Sequence, residues 1–180
     1  GFRCELNFSK NNLYYSNICL FSYLDKEKFM KYGCKIDDFF ILGPIRALYY
    51  KQIKKINTEI TNEFDICFIS QYPSILNFSK DELIQKSVRQ TVSKTNDYLN
   101  KLRIKENLRV VILMRGTSEE ERDFYKGFGF KNENLLNKNL TNPWQTYDVI
   151  NKSNITIGFS TSCVQEAWSM EKKGIICFKY

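Results

Sequence analysis

The stretch from residue 155 to residue 178 constrains the fold of this chain more than any other. It begins with a β-branched run that breaks at Gly158 and continues with three hydroxyl residues. A helical pattern follows from Cys163 to Lys172, and a second apolar run begins after Gly174. This order is typical of a β-strand, a helix and a second β-strand. We therefore expect two parallel strands connected by a helix.

The helical pattern of this unit has two different faces. At about 100° per residue, the apolar residues gather on one side, namely Cys163, Val164, Ala167, Trp168 and Met170. The polar residues gather on the other side, namely Ser162, Gln165, Glu166 and Ser169. The first face is expected to pack on a sheet, and the second is expected to face water or a ligand.

The start of this helix has the features of an anion site. Ser160 or Thr161 can cap the helix, and the first backbone N–H groups lie at the positive end of the helix dipole. However, Ser and Thr cap helices whatever a protein does. An ordinary capped helix with a solvated polar face therefore explains the pattern equally well.

From residue 64 onward, strand-like and helix-like segments alternate. Strands are predicted at 64–69, at 108–114, around Leu135 and in the two apolar runs described above. Helices are predicted after the capping boxes of Ser79 with Glu82 and Ser118 with Glu121, and after Asn142-Pro143. The alternation predicts an α/β fold with a doubly wound, Rossmann-like parallel sheet. Val111 and Ile157 are predicted to be buried on both faces of that sheet.

The first part of the chain predicts a small α/β segment. Its strands are expected around 18–21 and 39–42, both as buried apolar runs. A helix is expected from Pro44 to about Ile56, with an apolar side made of Leu48, Tyr49 and Ile53. The polar stretch 57–63 is the best candidate for a boundary, which divides the chain into residues 1–56 and 64–180.

Three predicted strand ends carry residues suited to ligand binding. They are Ser70 with Gln71, Arg115 with Gly116, and Gly158 with the hydroxyl residues Ser160, Thr161 and Ser162. Each group alone is ordinary loop composition. Because the carboxyl ends of parallel strands share one edge of a sheet, the three together predict a binding cleft there. The fingerprints G-x-G-x-x-G and G-x-x-x-x-G-K-[ST] are absent from the sequence, which argues against a dinucleotide site or a P-loop.

Composition excludes several classes of catalytic site. The chain has no histidine, so no Ser-His-Asp triad, Cys-His dyad or H-E-x-x-H zinc site can form within it. The six cysteines form no C-x-x-C pair, so we expect neither a metal nor a cofactor, and free thiols in a reducing cytoplasm. The formal charge of +7 is compatible with nucleotides, nucleic acid or lipid head groups, but the lysines are scattered along the chain.

No apolar run approaches the length of about 20 residues that spans a bilayer, and the first residues have no signal-peptide pattern. A cytoplasmic location is therefore predicted. The start at Gly1 and an end within an apolar run also predict that the chain is part of a longer protein.

Several short motifs, in this order, resemble the hinge and C-terminal domain of GT-B-type glycosyltransferases. The motifs are Ile41-Leu42-Gly43-Pro44-Ile45-Arg46, Asp65-Ile66-Cys67-Phe68-Ile69-Ser70, Tyr147-Asp148-Val149-Ile150, Gly158-Phe159-Ser160-Thr161-Ser162, Glu166-Ala167 and Lys173-Gly174-Ile175. The chain is most similar to transferases of bacterial surface-carbohydrate clusters. The resemblance implies that residues 1–56 are the tail of an N-terminal domain and the interdomain connection. It also implies that residues 64–180 bind a nucleotide sugar.

The resemblance also implies roles for particular residues. The helix start from Ser160 to Ser162 would bind the donor phosphates, Arg115 would approach them, and Glu166 would accept hydrogen bonds from the ribose or the sugar. No catalytic residue is predicted, and a catalytic base would lie in the missing N-terminal half. The chain lacks the histidine of glycerophosphate-polymer transferases and the Arg/Lys pair with Glu-x(7)-Glu of many retaining enzymes.

The implied function is transfer of a sugar from a nucleotide-sugar donor to a glycan or lipid-linked acceptor, with no nucleic-acid partner. A peripheral association with membranes is compatible with this function. A nucleotide-sugar epimerase of the same fold and a non-catalytic GT-B-like binding module are the alternatives. An RNA-binding domain is disfavoured, because no RNP-like aromatic strand or basic cluster is present.

Overall fold

The computed structural model describes residues 14–54, 62–72, 80–159 and 161–177. The first of these ranges contains β1 (Tyr14–Leu20), α1 (Tyr23–Lys31), β2 (Lys35–Ile41) and α2 (Ile45–Lys54). The remaining ranges contain β3 (Phe64–Ile69), α3 (Glu82–Lys105), β4 (Val110–Leu113), α4 (Glu119–Lys126), β5 (Leu135–Leu136), α5 (Gln145–Asn151), β6 (Ser153–Phe159), α6 (Ser162–Ser169) and β7 (Lys173–Cys177). The predicted alternation of strands and helices, including the short strand at Leu135, is confirmed.

The strands form two parallel sheets. β1 pairs with β2, and the larger sheet has the order β5-β4-β3-β6-β7 with every neighbouring pair parallel. β3 lies at the centre of the larger sheet, where Ile69 is in register with Leu113 of β4 and with Gly158 of β6. The mixed α/β class with a parallel sheet is therefore confirmed, and this strand order is compatible with a Rossmann-like fold.

Both faces of the larger sheet are covered by helices. Successive residues of each strand point to opposite faces, so neighbouring residues belong to different clusters. On one face Cys67 and Val111 belong to a buried cluster with residues of α2, α5 and α6, among them Ala47, Tyr50, Ile150, Ala167 and Met170. On the other face Phe68 and Ile112 pack with residues of α3, α4 and the segment after α4, among them Leu99, Tyr125 and Phe130.

Val111 is central to this core and only 2% exposed, as predicted. Replacing it by alanine should lower the free energy of unfolding by about 2–4 kcal/mol, since transfer energy is lost and a cavity is left. Val88→Ala on α3, where the side chain is only partly buried, is the control and should cost less than half as much. Denaturant unfolding measures both values. Equal midpoints for Val111→Ala and the wild type would contradict this placement in the sheet.

The expectation that Ile157 is fully buried is wrong. Ile157 is partly buried and lies at the margin of the cluster under α3 and α4, whereas Thr156 and Gly158 are buried on the opposite face. β6 has only the edge strand β7 on its outer side. The helices on the α3 side therefore cover β6 less completely than they cover β3 and β4.

The predicted apolar side of α2 exists, but it is not the side that packs on the core. α2 buries Ala47 and Tyr50, and it leaves Leu48, Tyr49 and Ile53 exposed. Ala47 is small enough to lie at the contact between α2 and α6. Tyr50 is buried beside it, and its hydroxyl donates to Asp148 at 2.7 Å. By these contacts α2 belongs to the core of the larger sheet. The predicted boundary at 57–63 mostly lies outside the described residues, so the division of the chain there stays a prediction.

Other local expectations need correction. Among the β1 side chains that the structure describes, only Leu20 is buried, because one face of the β1–β2 pair packs on Phe29 of α1. The first residue of α3 is Glu82, and Asp81 caps the helix by accepting from the N–H groups of Leu83 and Ile84. The expected cap, Ser79, lies outside the described residues.

The apolar side of α6 is confirmed for Val164, Ala167 and Met170, which are buried. Trp168 departs from the prediction, because it is half exposed and its indole N–H donates to the Gly174 carbonyl at 3.3 Å. In the described part of the chain no helix is both long enough and apolar enough to cross a membrane.

Candidate functional site

The central strand β3 and its neighbour β6 lie at the point where the order of the strands in the sheet reverses. From β3 the chain continues through α3 to β4 on one side, whereas from β6 it continues through α6 to β7 on the other. The two connections therefore leave the sheet in opposite directions at its carboxyl edge. In open α/β sheets a crevice forms at such a point, and ligands bind in it.

All three predicted groups lie at this edge. Ser70 follows the end of β3, Arg115 and Gly116 follow β4, and Gly158 lies near the end of β6, directly before the turn into α6. The register of Ile69 with Leu113 and with Gly158 places the three strand ends side by side. The three groups that the sequence places at one edge of the sheet are therefore neighbours in the fold. Their role in binding a ligand stays a prediction.

The predicted residues differ in how far they reach solvent. Ser70 and Gly158 are buried, and Arg115 is exposed. Five others are partly buried: Gln71, Gly116, Thr161, Ser162 and Glu166. Ser160 lies outside the described residues. Solvent-accessible polar groups are therefore found after each of the three strands.

A buried carboxylate ties the first two strand ends together. Glu121 of α4 is 1% exposed, and its carboxylate accepts from the Ser70 hydroxyl at 2.5 Å. It also accepts from the backbone N–H of Arg115 at 3.0 Å and from that of Gly116 at 3.1 Å. Three hydrogen bonds from three different residues satisfy this buried group and fix the loop after β4 against the end of β3.

The Ser70 hydroxyl is fully used within the protein. Besides donating to Glu121, it accepts from the Tyr125 hydroxyl at 2.8 Å and from the Tyr72 N–H at 3.2 Å. Burial raises the pKa of the Tyr125 phenol, so Tyr125 remains a hydrogen-bond donor over the whole working range of pH. Ser70 therefore holds the loops in place, while Gln71 is partly accessible to solvent and Arg115 is exposed.

Sequence reasoning assigned Glu121 only to a capping box. Ser118 does cap α4, accepting from the Glu121 N–H at 3.2 Å. The Glu121 side chain, however, turns inward to the strand ends and does not return to the N–H of its own cap. Three consecutive glutamates begin the helix, and nothing in their sequence distinguishes the buried one.

The third strand end is shaped by a close approach between β6 and α6. Thr161 is the N-cap of α6, and its hydroxyl accepts from the Cys163 N–H at 3.3 Å, which confirms one of the two predicted caps. A Cβ atom on Gly158 would lie 2.5 Å from the Thr161 methyl carbon and 3.2 Å from Val164 Cγ2. The absence of a side chain at Gly158 therefore lets the helix start directly above the sheet edge.

Glu166 lies one turn further along α6, where the tyrosine Tyr147 of α5 faces it. The Tyr147 phenol is buried, and burial and the nearby Glu166 charge both raise its pKa. The Arg46 guanidinium lowers the pKa of Tyr147 and lies in the same neighbourhood. Glu166 therefore lies near a buried, neutral phenol, and it is partly accessible to solvent.

The groups at this edge have the chemistry to suit two different parts of a ligand. The positive end of the α6 dipole, the hydroxyls of Thr161 and Ser162, and the Arg115 side chain suit an anionic group. The Glu166 carboxylate suits hydroxyl groups. With respect to known proteins, no family model matches the chain, and no curated protein matches it at a significant level.

Proposed function

We propose that the chain is the donor-binding part of a GT-B-type glycosyltransferase that uses a nucleotide-activated sugar to build a surface polysaccharide or another glycan. The observation that carries the proposal is the position of the α6 start at the switch point between β3 and β6. Groups suited to phosphate and a group suited to sugar hydroxyls follow one another there along one helix.

The distribution of the helices supports the finer fold assignment. α3 and α4 lie on one face of the sheet, and α2, α5 and α6 lie on the other, as in a doubly wound sheet of the GT-B donor-binding domain. In this fold the helix after β6 would meet the donor with its N-terminal end.

Each group would recognise one part of the donor. The diphosphate would lie at the positive end of the α6 dipole with Arg115 approaching from the neighbouring loop, where its planar guanidinium pairs well with phosphate oxygens. Glu166 lies four residues beyond Ser162, which corresponds to about 6 Å along the axis. A carboxylate at that distance repels a phosphate and accepts from hydroxyl groups, so it would orient the ribose or the sugar.

The partners follow from this assignment. The donor is a nucleotide sugar, the acceptor is a glycan or a lipid-linked glycan, and the reaction takes place in the cytoplasm. The polar groups of this edge bind and orient the donor, and the catalytic base is supplied from outside them.

Glu166→Gln tests the proposal. Glutamine keeps the size of the side chain, but it loses the charge that strengthens hydrogen bonds from sugar hydroxyls. We expect donor affinity to fall about ten-fold, the loss of roughly one charge-assisted hydrogen bond of 1.5–3 kcal/mol. Calorimetric titration with a panel of uridine, guanosine, cytidine and thymidine diphosphate sugars measures it.

Glu171→Gln is the matched control, since Glu171 follows the same helix but is exposed and pairs with Lys51 at 2.8 Å. It should leave donor affinity unchanged. Equal affinities of Glu166→Gln and the wild type for every donor that binds would remove Glu166 from the site. If no nucleotide sugar binds the wild type, the proposed function itself fails.

A further inference from the structure

Two consecutive backbone N–H groups after β4 already bind an anion, and that anion belongs to the protein. One oxygen of the Glu121 carboxylate accepts from the Ser70 hydroxyl and from the Arg115 N–H, and the other oxygen accepts from the Gly116 N–H. Successive N–H groups that point at one anion often form phosphate sites in proteins. Here a carboxylate that is 1% exposed fills the position, so these N–H groups are not available to a ligand.

The same contacts fix the backbone from which the Arg115 side chain extends. Glu121 holds the peptide groups on both sides of the Arg115 Cα atom, and the Gly116 carbonyl accepts from the Lys138 N–H at 3.3 Å. Glycine is conformationally permissive, so without these bonds the loop beside Arg115 could adopt many backbone conformations. The buried carboxylate removes that freedom.

A fixed backbone matters because Arg115 is exposed and has a long side chain. The direction in which its Cα–Cβ bond leaves the loop decides which region the guanidinium can reach. A guanidinium that pairs with two phosphate oxygens at once needs a specific geometry, and functional groups generally have to be held within about 0.5 Å of it. The hydrogen bonds of Glu121 are the contacts that set this direction.

We propose that Glu121 is a positioning residue of the donor site, which directs Arg115 toward the donor diphosphate without touching the donor. The inference rests on the proposed function, which supplies the diphosphate. It adds that the Arg115 guanidinium binds the phosphate, whereas the backbone N–H groups of its loop bind the carboxylate. Glu121 then acts on the ligand only through Arg115.

A double-mutant cycle tests this dependence. Arg115→Gln should lower donor affinity about ten-fold, because a charge-assisted hydrogen bond to phosphate is lost. Glu121→Gln replaces one carboxylate oxygen by an amide nitrogen that cannot accept, so the loop shifts and donor affinity should fall about five-fold. The double variant should bind no more weakly than Arg115→Gln alone, since a side chain that is absent cannot be misplaced. Calorimetric titration measures all four affinities.

Tyr125→Phe is the matched control for stability. It removes the hydroxyl that donates to Ser70 at 2.8 Å in the same buried network, and it leaves the three hydrogen bonds of Glu121 in place. The variant should unfold at a lower denaturant concentration than the wild type and bind the donor with unchanged affinity. A loss of affinity as large as that of Glu121→Gln would mean that the stability of the network governs binding, and it would overturn the inference.

The cycle is run with the nucleotide sugar that binds the wild type most tightly and, in parallel, with inorganic pyrophosphate. Additive effects of the two substitutions on a nucleotide sugar that binds would overturn the inference and leave the proposed function standing. Coupled effects on pyrophosphate, together with no binding of any nucleotide sugar, would keep Glu121 as the positioning residue of a diphosphate site and remove the proposed function. If the wild type binds neither ligand, both fail.

Discussion

Glu121→Ala should lower the free energy of unfolding by about 3–5 kcal/mol. The wild-type carboxylate accepts from the Ser70 hydroxyl and from the backbone N–H groups of Arg115 and Gly116. Alanine leaves all three donors without their acceptor at a site that is closed to solvent, and each unsatisfied buried donor costs about 1–3 kcal/mol. Water entering the cavity offsets part of this cost. Denaturant unfolding followed by circular dichroism measures the change.

Glu120→Ala is the matched control for this substitution. Glu120 precedes Glu121 on the same turn of α4 and is exposed, so its replacement should change stability by less than about 0.5 kcal/mol. The stability of Glu121→Gln should fall between the stabilities of the two alanine variants. Its amide oxygen can still accept a hydrogen bond, but its amide nitrogen is a donor and would face another donor. Equal stability of the two alanine variants would show that the carboxylate does not hold the strand ends together.

Added formate provides a second test of the same point. A small carboxylate can enter the cavity of Glu121→Ala and accept from the free N–H groups, and a ligand that binds only the folded state stabilises it by mass action. Formate should therefore raise the unfolding midpoint of Glu121→Ala more than that of the wild type, and chloride at equal ionic strength should not. An identical response of both proteins would contradict the carboxylate site.

The order of strands and helices could be predicted because each element carries a local signal. β-branched runs, N-cap residues and glycines at helix ends act over a few residues, and they identified every described element of the larger sheet. The buried side of α2 could not be predicted in this way. Its larger apolar stripe includes Leu48 and Ile53, but the sheet and α6 take Ala47 and Tyr50 instead. Which stripe is buried depends on the neighbouring elements, and the sequence of one helix does not contain that information.

The candidate site shows the same division. Gly158 and the Thr161 cap are local features, and they were found from the sequence. The inward turn of Glu121 depends on donors from Ser70, Arg115 and Gly116, which become neighbours only when β3 pairs with β4. A capping-box pattern predicts that the carboxylate accepts from the cap of its own helix. In the structure it accepts from the donors at the strand ends instead. Such competition is settled by tertiary structure alone.

Gly158→Ala is expected to lower the free energy of unfolding by about 3 kcal/mol. The new Cβ atom would lie 2.5 Å from the Thr161 methyl carbon, a separation that side chains do not tolerate, and 3.2 Å from Val164 Cγ2. The start of α6 would have to move away from the end of β6. Donor affinity should fall together with stability, since the proposed phosphate position depends on this start.

A second substitution separates the clash from every other effect of the new methyl group. Thr161→Ser removes the methyl carbon that the added Cβ atom would meet, and it keeps the hydroxyl that caps α6. Alone it should therefore change stability by only a few tenths of a kcal/mol. The double variant Gly158→Ala with Thr161→Ser should recover most of the lost stability, leaving only the tighter contact with Val164.

Gly116→Ala is a further control, because a Cβ atom there would meet its nearest neighbour, Glu121 Oε2, at an ordinary 3.8 Å. Its stability should stay close to that of the wild type. If the double variant is no more stable than Gly158→Ala, the Thr161 methyl group is not what keeps a side chain out of this position. In that case the helix start would owe its place above the sheet edge to the contact with Val164.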